Sequence, residues 1–183
     1  MVSVVERARL AAFTMLSELP SRRAHVAGVA AVAEDVVGRL GLSDGELLVA
    51  AAWLHDVGYA EPIAVTGFHP VDGASWVRDQ NFPETVVSLV AYHTGADVEA
   101  EERGLSGALM LFEQPDPILL DALTFSDLSV GPEGELVETE ARVREILSRY
   151  PEGHLVHRSV SRSAPRLLAT AGRVRDRLAA AHD

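Results

Sequence analysis

The 183-residue chain contains no cysteine, which excludes disulfides, thiolate nucleophiles and thiolate metal ligands. It contains no lysine either. All sixteen basic residues are arginine, so Schiff-base catalysis and a lysine general acid are excluded too. No apolar run is long enough to cross a bilayer, and Glu6 and Arg7 interrupt the N-terminal stretch too early for a signal peptide. The expectation is a cytoplasmic protein without a membrane partner. Positive charge is scarce: 16 basic residues face 27 acidic ones, a net charge of −11. That balance argues against general nucleic-acid binding through a basic surface. A phosphorylated small molecule stays open as a partner, because a bound metal overrides the global field locally.

What the chain does have is 48% apolar residues in a length that suits one domain with a proper core. No stretch alternates with period two, whereas apolar residues recur at helical spacing throughout, so the expected fold is all-α. The spacing predicts a helix over 2–19 ended by Pro20, and a second capped by Ser21 and running to Gly41. A third over 43–58 opens on a Ser43–Glu46 capping box and closes at Gly58 as a left-handed cap. Tyr59 to Gly67 reads as an irregular connection, followed by a short helix from His69-Pro70 and another with Pro83 in its first position. Residues 95–107 read as a polar loop, with a short helix over 105–113. Asp116-Pro117 caps and opens the next helix, 131–134 is a turn, and further helices are expected over 138–150 and from about 164. Glu138–Arg142 and Glu140–Arg144 have the spacing of ion pairs along the first of these two.

Polar residues stand out on the inward stripes. His25 continues the stripe Val29, Val32, Val36 and Leu40. His55 falls in register with Leu48, Ala51 and Ala52, and Asp56 follows it. His93 continues Val86 and Val90, and Asp127 continues Leu120, Leu123 and Thr124. His69 opens its own helix. A histidine–aspartate pair alone is weak, since chance supplies roughly 0.4 such pairs in this composition. Any one buried histidine has an ordinary explanation as a hydrogen-bonded core residue. Five segments doing the same is costly without a shared partner. Imidazoles and carboxylates with no thiolate suit a divalent ion, with Fe, Mn, Zn, Co and Mg all open.

In this pattern the chain resembles the HD superfamily of metal-dependent phosphohydrolases. The family pattern of a His, a His-Asp pair and a distal Asp is met by His25, His55, Asp56 and Asp127. His69-Pro70-Val71-Asp72-Gly73 resembles the His-Pro-x-x-Gly element of two-metal members. Ala91-Tyr92-His93-Thr94-Gly95 is similar to a segment of bacterial HD-type diadenosine tetraphosphate hydrolases, the dinucleoside polyphosphate hydrolases closest in motif style. The resemblance implies one HD-domain helical bundle over 1–183, with a motif core at 21–130, a helical extension at 132–183 and an extra N-terminal helix. It implies two divalent ions, Fe or Mn foremost. One would be held by His25, His55, Asp56 and Asp127, and the other by His69 and His93 with Asp56 bridging. A hydroxide between the metals would attack phosphorus, making Asp56 catalytic.

Arg22 and Arg23 are candidates to grip a substrate phosphate, and Glu61 is a candidate proton shuttle. His154 and His157 read as surface residues and His182 as part of a terminus. The chain departs from several subgroups: Tyr59 stands where many HD phosphodiesterases have lysine, no Gly-Tyr-Pro follows His93, and no acidic pair follows His55-Asp56. The implied activity is metal-dependent hydrolysis of a nucleotide or other small phosphate ester. The alternatives are a di-iron HD-type oxygenase, whose ligands are similar, and a non-catalytic metal-stabilised module that binds a nucleotide and signals. The substrate and the oligomeric state are not encoded in these motifs.

Overall fold

The computed structural model describes residues 2–181, and His182 lies outside the described residues. The fold is all-α. Among the described residues there is no β-strand, only an isolated antiparallel bridge between Val130 and Leu136 across the 131–134 turn. α1 (Val4–Met15) is capped by Ser3, whose hydroxyl accepts from the Glu6 amide. Pro20 does not end this helix but opens α2 (Pro20–Leu40), because its fixed φ suits a first turn and its missing N–H is not needed there. Leu19 is therefore the cap residue in place of Ser21, and the Ser21 hydroxyl donates to Glu133 instead.

α3 (Gly45–Leu54) is buried without a break from Leu48 to Leu54, and it packs against α1, α2, α5 and α8 as the central helix. The expected Ser43–Glu46 box does not form, since Asp44 occupies the cap in a left-handed conformation with no side-chain bond. Gly58 is not the helix cap either. α3 stops at Leu54, His55 is its cap, and Gly58 sits inside a 3-10 turn, Val57–Tyr59. Its value lies in close approach: a Cβ there would fall 2.0 Å from the His69 carbonyl oxygen and 2.7 Å from the Gly73 nitrogen. Glycine lets the turn after the His-Asp pair seat on the first turn of α4 (His69–Asp79).

α5 (Glu84–Tyr92) follows with Pro83 as its cap, one residue outside the position expected. The polar stretch expected to be a loop forms α6 (Ala96–Arg103). Ala96 and Ala100 are its only buried side chains, too small to register as an apolar stripe, and its acidic face meets arginines of α10. After α7 (Ser106–Leu109), α8 (Pro117–Leu128) begins as expected, with the Asp116 carboxylate accepting from the amides of Ile118 and Leu119. α9 (Thr139–Arg149) carries neither expected ion pair. Arg142 turns forward to Glu145, and Glu140 meets Arg175 of α10.

α10 (Leu155–Ala180) starts well before 164. Its early buried positions are Ser159 and Ser163, whose hydroxyls donate back to the carbonyls of Leu155 and Ser159, so no hydrophobic pattern announces them. A small apolar cluster of Leu128, Val143 and Leu167 ties α8, α9 and α10 together beside the main core.

Candidate metal centre

Four helix ends and one helix interior converge on a single point. His25 comes from the second turn of α2, and His55 caps α3. Asp56 follows at φ −101°, ψ 6°, a sparsely populated bridge conformation common at active sites. His69 opens α4, His93 caps α5 and Asp127 lies in the last turn of α8. The structure thus brings together all six residues read from the sequence as metal ligands.

The spacing is that of a ligand cage. His25 Nε2 lies 3.0 Å from Asp127 Oδ1 and 4.0 Å from Asp56 Oδ2. His55 Nε2 is 3.6 Å from Asp56 Oδ1 and 3.9 Å from Asp127 Oδ1. On the other side, His69 Nε2 and His93 Nε2 stand 3.1 Å apart, at 3.5 and 4.0 Å from Asp56 Oδ1. Two triads result, His25–His55–Asp56 and Asp56–His69–His93, each with one potential ligand atom per residue inside a 4.8 Å circle. Asp56 belongs to both.

Each ring is held from behind. The Nδ1 atoms of His25, His55 and His93 bond the carbonyls of Gly131 (3.0 Å), Ala52 (2.8 Å) and Val90 (2.7 Å). A carbonyl accepts only, so each Nδ1 carries the proton and each Nε2 is directed to the centre, as an imidazole ligand requires. His69 is fixed differently. Tyr59 stacks on it at 4.0 Å, and the loop before it is clamped by Asp72, whose carboxylate accepts from the amides of Thr66 and Gly67 and from the Thr66 hydroxyl.

His55 Nε2 is buried and has no hydrogen-bond partner. A fully enclosed imidazole nitrogen without a partner is costly unless a ligand completes it, so the donor set fits a divalent metal. Electrostatics agree. Burial holds the pKa of His55 below and that of His69 well below the usual histidine range, leaving both neutral with a free lone pair. For Asp56 and Asp127 burial acts upward, but the positive surroundings of the first, Arg22 the permanent charge among them, and the His25 hydrogen bond to the second outweigh it, so both stay ionised. His25 goes the other way: burial lowers its pKa, yet bonding to Asp127 raises it overall.

The cage opens into a cavity of about 360 Å³. Arg22 lines it, its guanidinium 2.7 Å from Asp56 Oδ2 and 4.0 Å above the Tyr59 ring. Burial works against its charge, but Asp56 more than compensates. Arg23 is elsewhere, over the ring of Phe13. Glu61 is exposed on the 3-10 turn Glu61–Ile63, and neither it nor Arg23 is among the residues lining the cavity. His154 is exposed but stands on the cavity wall, and its Nδ1 caps α10 by accepting from Val156. His157 is partly buried beside Ser161 on α10.

A family model for the HD domain matches residues 22–152, a span that contains all six side chains of the cage. The chain belongs to the HD-domain family. As an HD-domain protein it shares the metal-dependent hydrolase superfamily's architecture, and its buried His/Asp clusters fit divalent-metal binding. The match extends past residue 130 and so takes in α9. Among curated proteins, a tRNA (cytidine(56)-2'-O)-methyltransferase of Thermoplasma volcanium is 38% identical over 60 residues, 33% of this chain and 17% of that protein. The chain therefore spans about a sixth of that relative's length. No solved structure matches. No described helix is long and apolar enough to cross a membrane.

Two residues that sequence reasoning did not assign complete the HD centre. Thr94 donates its hydroxyl to Asp127 Oδ2 at 2.5 Å, from a backbone at φ 36°, ψ 57° that a β-branched residue adopts only under constraint. Its place directly after His93 is the signal that could have found it. Tyr59 was legible only as a departure from lysine, and its stacking role needed the fold.

Proposed function

We propose that this HD-domain protein hydrolyses a nucleotide or other small phosphate ester at a dinuclear centre. His25, His55, Asp56 and Asp127 would hold one ion, and His69 and His93 the other, with Asp56 shared. When bound, such ions supply Lewis acidity that activates water near neutral pH and neutralises charge on the phosphoryl oxygens. The observation that carries the reading is the single Asp56 carboxylate common to two triads, buried except for a partly exposed His69 and each otherwise built from Nε2 atoms of histidine.

The surrounding residues have defined work. Burial keeps His55 and His69 unprotonated, so neither has to lose a proton before it binds. Thr94 and His25 hold the two oxygens of Asp127 and so fix its carboxylate plane. Arg22 supplies a permanent cation beside Asp56. Its planar donors suit a phosphate oxygen, and Tyr59 braces both Arg22 and His69 in position. Fe and Mn suit the nitrogen–oxygen donor set.

The decisive experiment is turnover of phosphate esters by protein reconstituted with Mn²⁺ under strict anaerobiosis, following phosphate release. Hydrolysis should persist without O₂. Activity that required both iron and O₂ would place the protein with the oxygenases instead. Tight nucleotide binding without turnover under either condition would make it a binding module.

A further inference from the structure

One wall of the cavity is made by a face of α9 running from Arg142 to Arg149, and it carries positive charge that its surroundings do not cancel. Arg142 and Arg149 both line the cavity, and both use the same carboxylate. Arg142 Nη1 donates to Glu145 at 2.6 Å, while Arg149 Nε and Nη2 donate to it at 2.5 and 2.7 Å. Two guanidinium groups thus share one negative charge.

The other charges of the cavity are matched. Arg22 is paired with Asp56 and Arg103 with Glu99, and Asp127 is bonded to His25. Asp56, Glu99 and Asp127 are the acidic side chains that line it, and none of them is paired with α9. Arg142 is also 95% buried, and its Nε has no hydrogen-bond partner. Leaving a donor of a buried cation unpaired is costly, and it adds to a guanidinium whose charge is already only half matched. In a chain of net charge −11, an excess of positive charge on a cavity wall is a local feature of construction.

We propose that Arg142 and Arg149 form a second anion subsite, so that the substrate carries an anionic group besides the phosphate placed at the cage. This rests on the reading of the cage as a phosphate-ester site. The substrate class is then a dianchored molecule, with one phosphate at the histidine–aspartate end and a further phosphate or carboxylate met by guanidinium donors at α9. Simple monoesters fill only the first position.

The test uses metal-loaded protein and phosphonates, whose C–P bonds hydrolysis does not cleave. Methylphosphonate is compared with α,ω-alkylene bisphosphonates of one to about six carbons by equilibrium calorimetry. One chain length should bind at least about tenfold more tightly than methylphosphonate. Arg149→Gln should reduce that gain to under about threefold, with Arg149→Lys retaining an intermediate gain. Arg142→Lys, which keeps the buried charge and spares α9 a void, should reduce it as well. The proposal is overturned if no chain length gains over methylphosphonate, or if the gain survives in both Arg149→Gln and Arg142→Lys. Failure of the hydrolase reading is separate: a bisphosphonate gain lost in these variants, with no ester ever hydrolysed, sinks hydrolysis and keeps the subsite. Ester hydrolysis with no bisphosphonate gain does the reverse.

Discussion

At the scale of single residues, Asp56 bears the greatest demand. Its Oδ1 faces His55, His69 and His93, and its Oδ2 faces His25 and Arg22, so one carboxylate is the meeting point of both triads. Replacing it with Asn keeps the shape and removes the charge, which should lower occupancy at both of the proposed metal positions. Replacing His69 with Ala should deplete one ion and leave the other largely in place. Elemental analysis of the two purified variants checks this: equal loss from both sites in His69→Ala would mean that the triads do not act as separate sites. Four of the six candidate ligands, His25, His55, His93 and Asp127, were legible in the sequence as polar residues where helical spacing demands apolar ones, whereas Asp56 and His69 were legible only through the motifs around them. Arg22 was legible only as one of an adjacent pair. Nothing in the sequence separates it from Arg23, yet one step of 100° around α2 sends Arg22 to Asp56 and Arg23 to Phe13. Thr94 and Tyr59 act through contacts with residues distant in sequence, which periodicity cannot display.

At the scale of elements, the centre depends on how the turn after α3 seats on α4. Gly58 allows that seating, since any Cβ there would meet backbone, which cannot swing aside as a flexible side chain can. Gly58→Ala should therefore destabilise the fold by about 3 kcal/mol, the upper end of overpacking costs. It should also push His69 away from Asp56 and lower metal occupancy at the His69–His93 triad before the other. Urea denaturation with metal analysis decides it, and a variant of unchanged midpoint and full occupancy would refute the close-approach account. The sequence placed a glycine here with the wrong duty, because a glycine that ends a helix and one that admits a neighbouring backbone look alike without the neighbour. Boundaries were misplaced for related reasons. α6 shows only small alanines toward the core, and α10 begins with buried serines that bond their own helix carbonyls. Long apolar stripes, as in α3, α5 and α8, were read correctly because tertiary packing selects the pattern that periodicity detects.

For the whole molecule, the same buried groups that build the centre couple its stability to pH and metal. His55 and His69 have pKa values lowered by burial, so their contribution is full above the ordinary histidine pKa and is lost as pH falls. Asp56 and Asp127 are lowered too, their contribution being lost only in stronger acid. His25 is opposite in sign: its raised pKa means that its pairing with Asp127 stabilises at low pH and fades as pH rises through the folded value. Without metal, two histidines therefore oppose one between neutral and mildly acid pH, and stability should decline as pH falls. Metal adds a steeper dependence. A bound ion would need neutral imidazoles in the folded state, so protons would compete with it at His25 first and at His55 and His69 in more acid solution. Free metal at about 100 times its dissociation constant stabilises the fold by about 2.7 kcal/mol, or roughly 5–10 °C in Tm for a chain of this size. That increment should shrink first as pH falls through the raised pKa of His25, and vanish only in acid well below the ordinary histidine pKa of about 6.5, where His55 and His69 take up protons, a range of about pH 8 to about pH 4. Thermal melts of stripped and Mn²⁺-loaded protein at matched ionic strength across this range provide the check. An increment that stays constant with pH would show that the stabilising metal is held by carboxylates alone, outside the histidine cage.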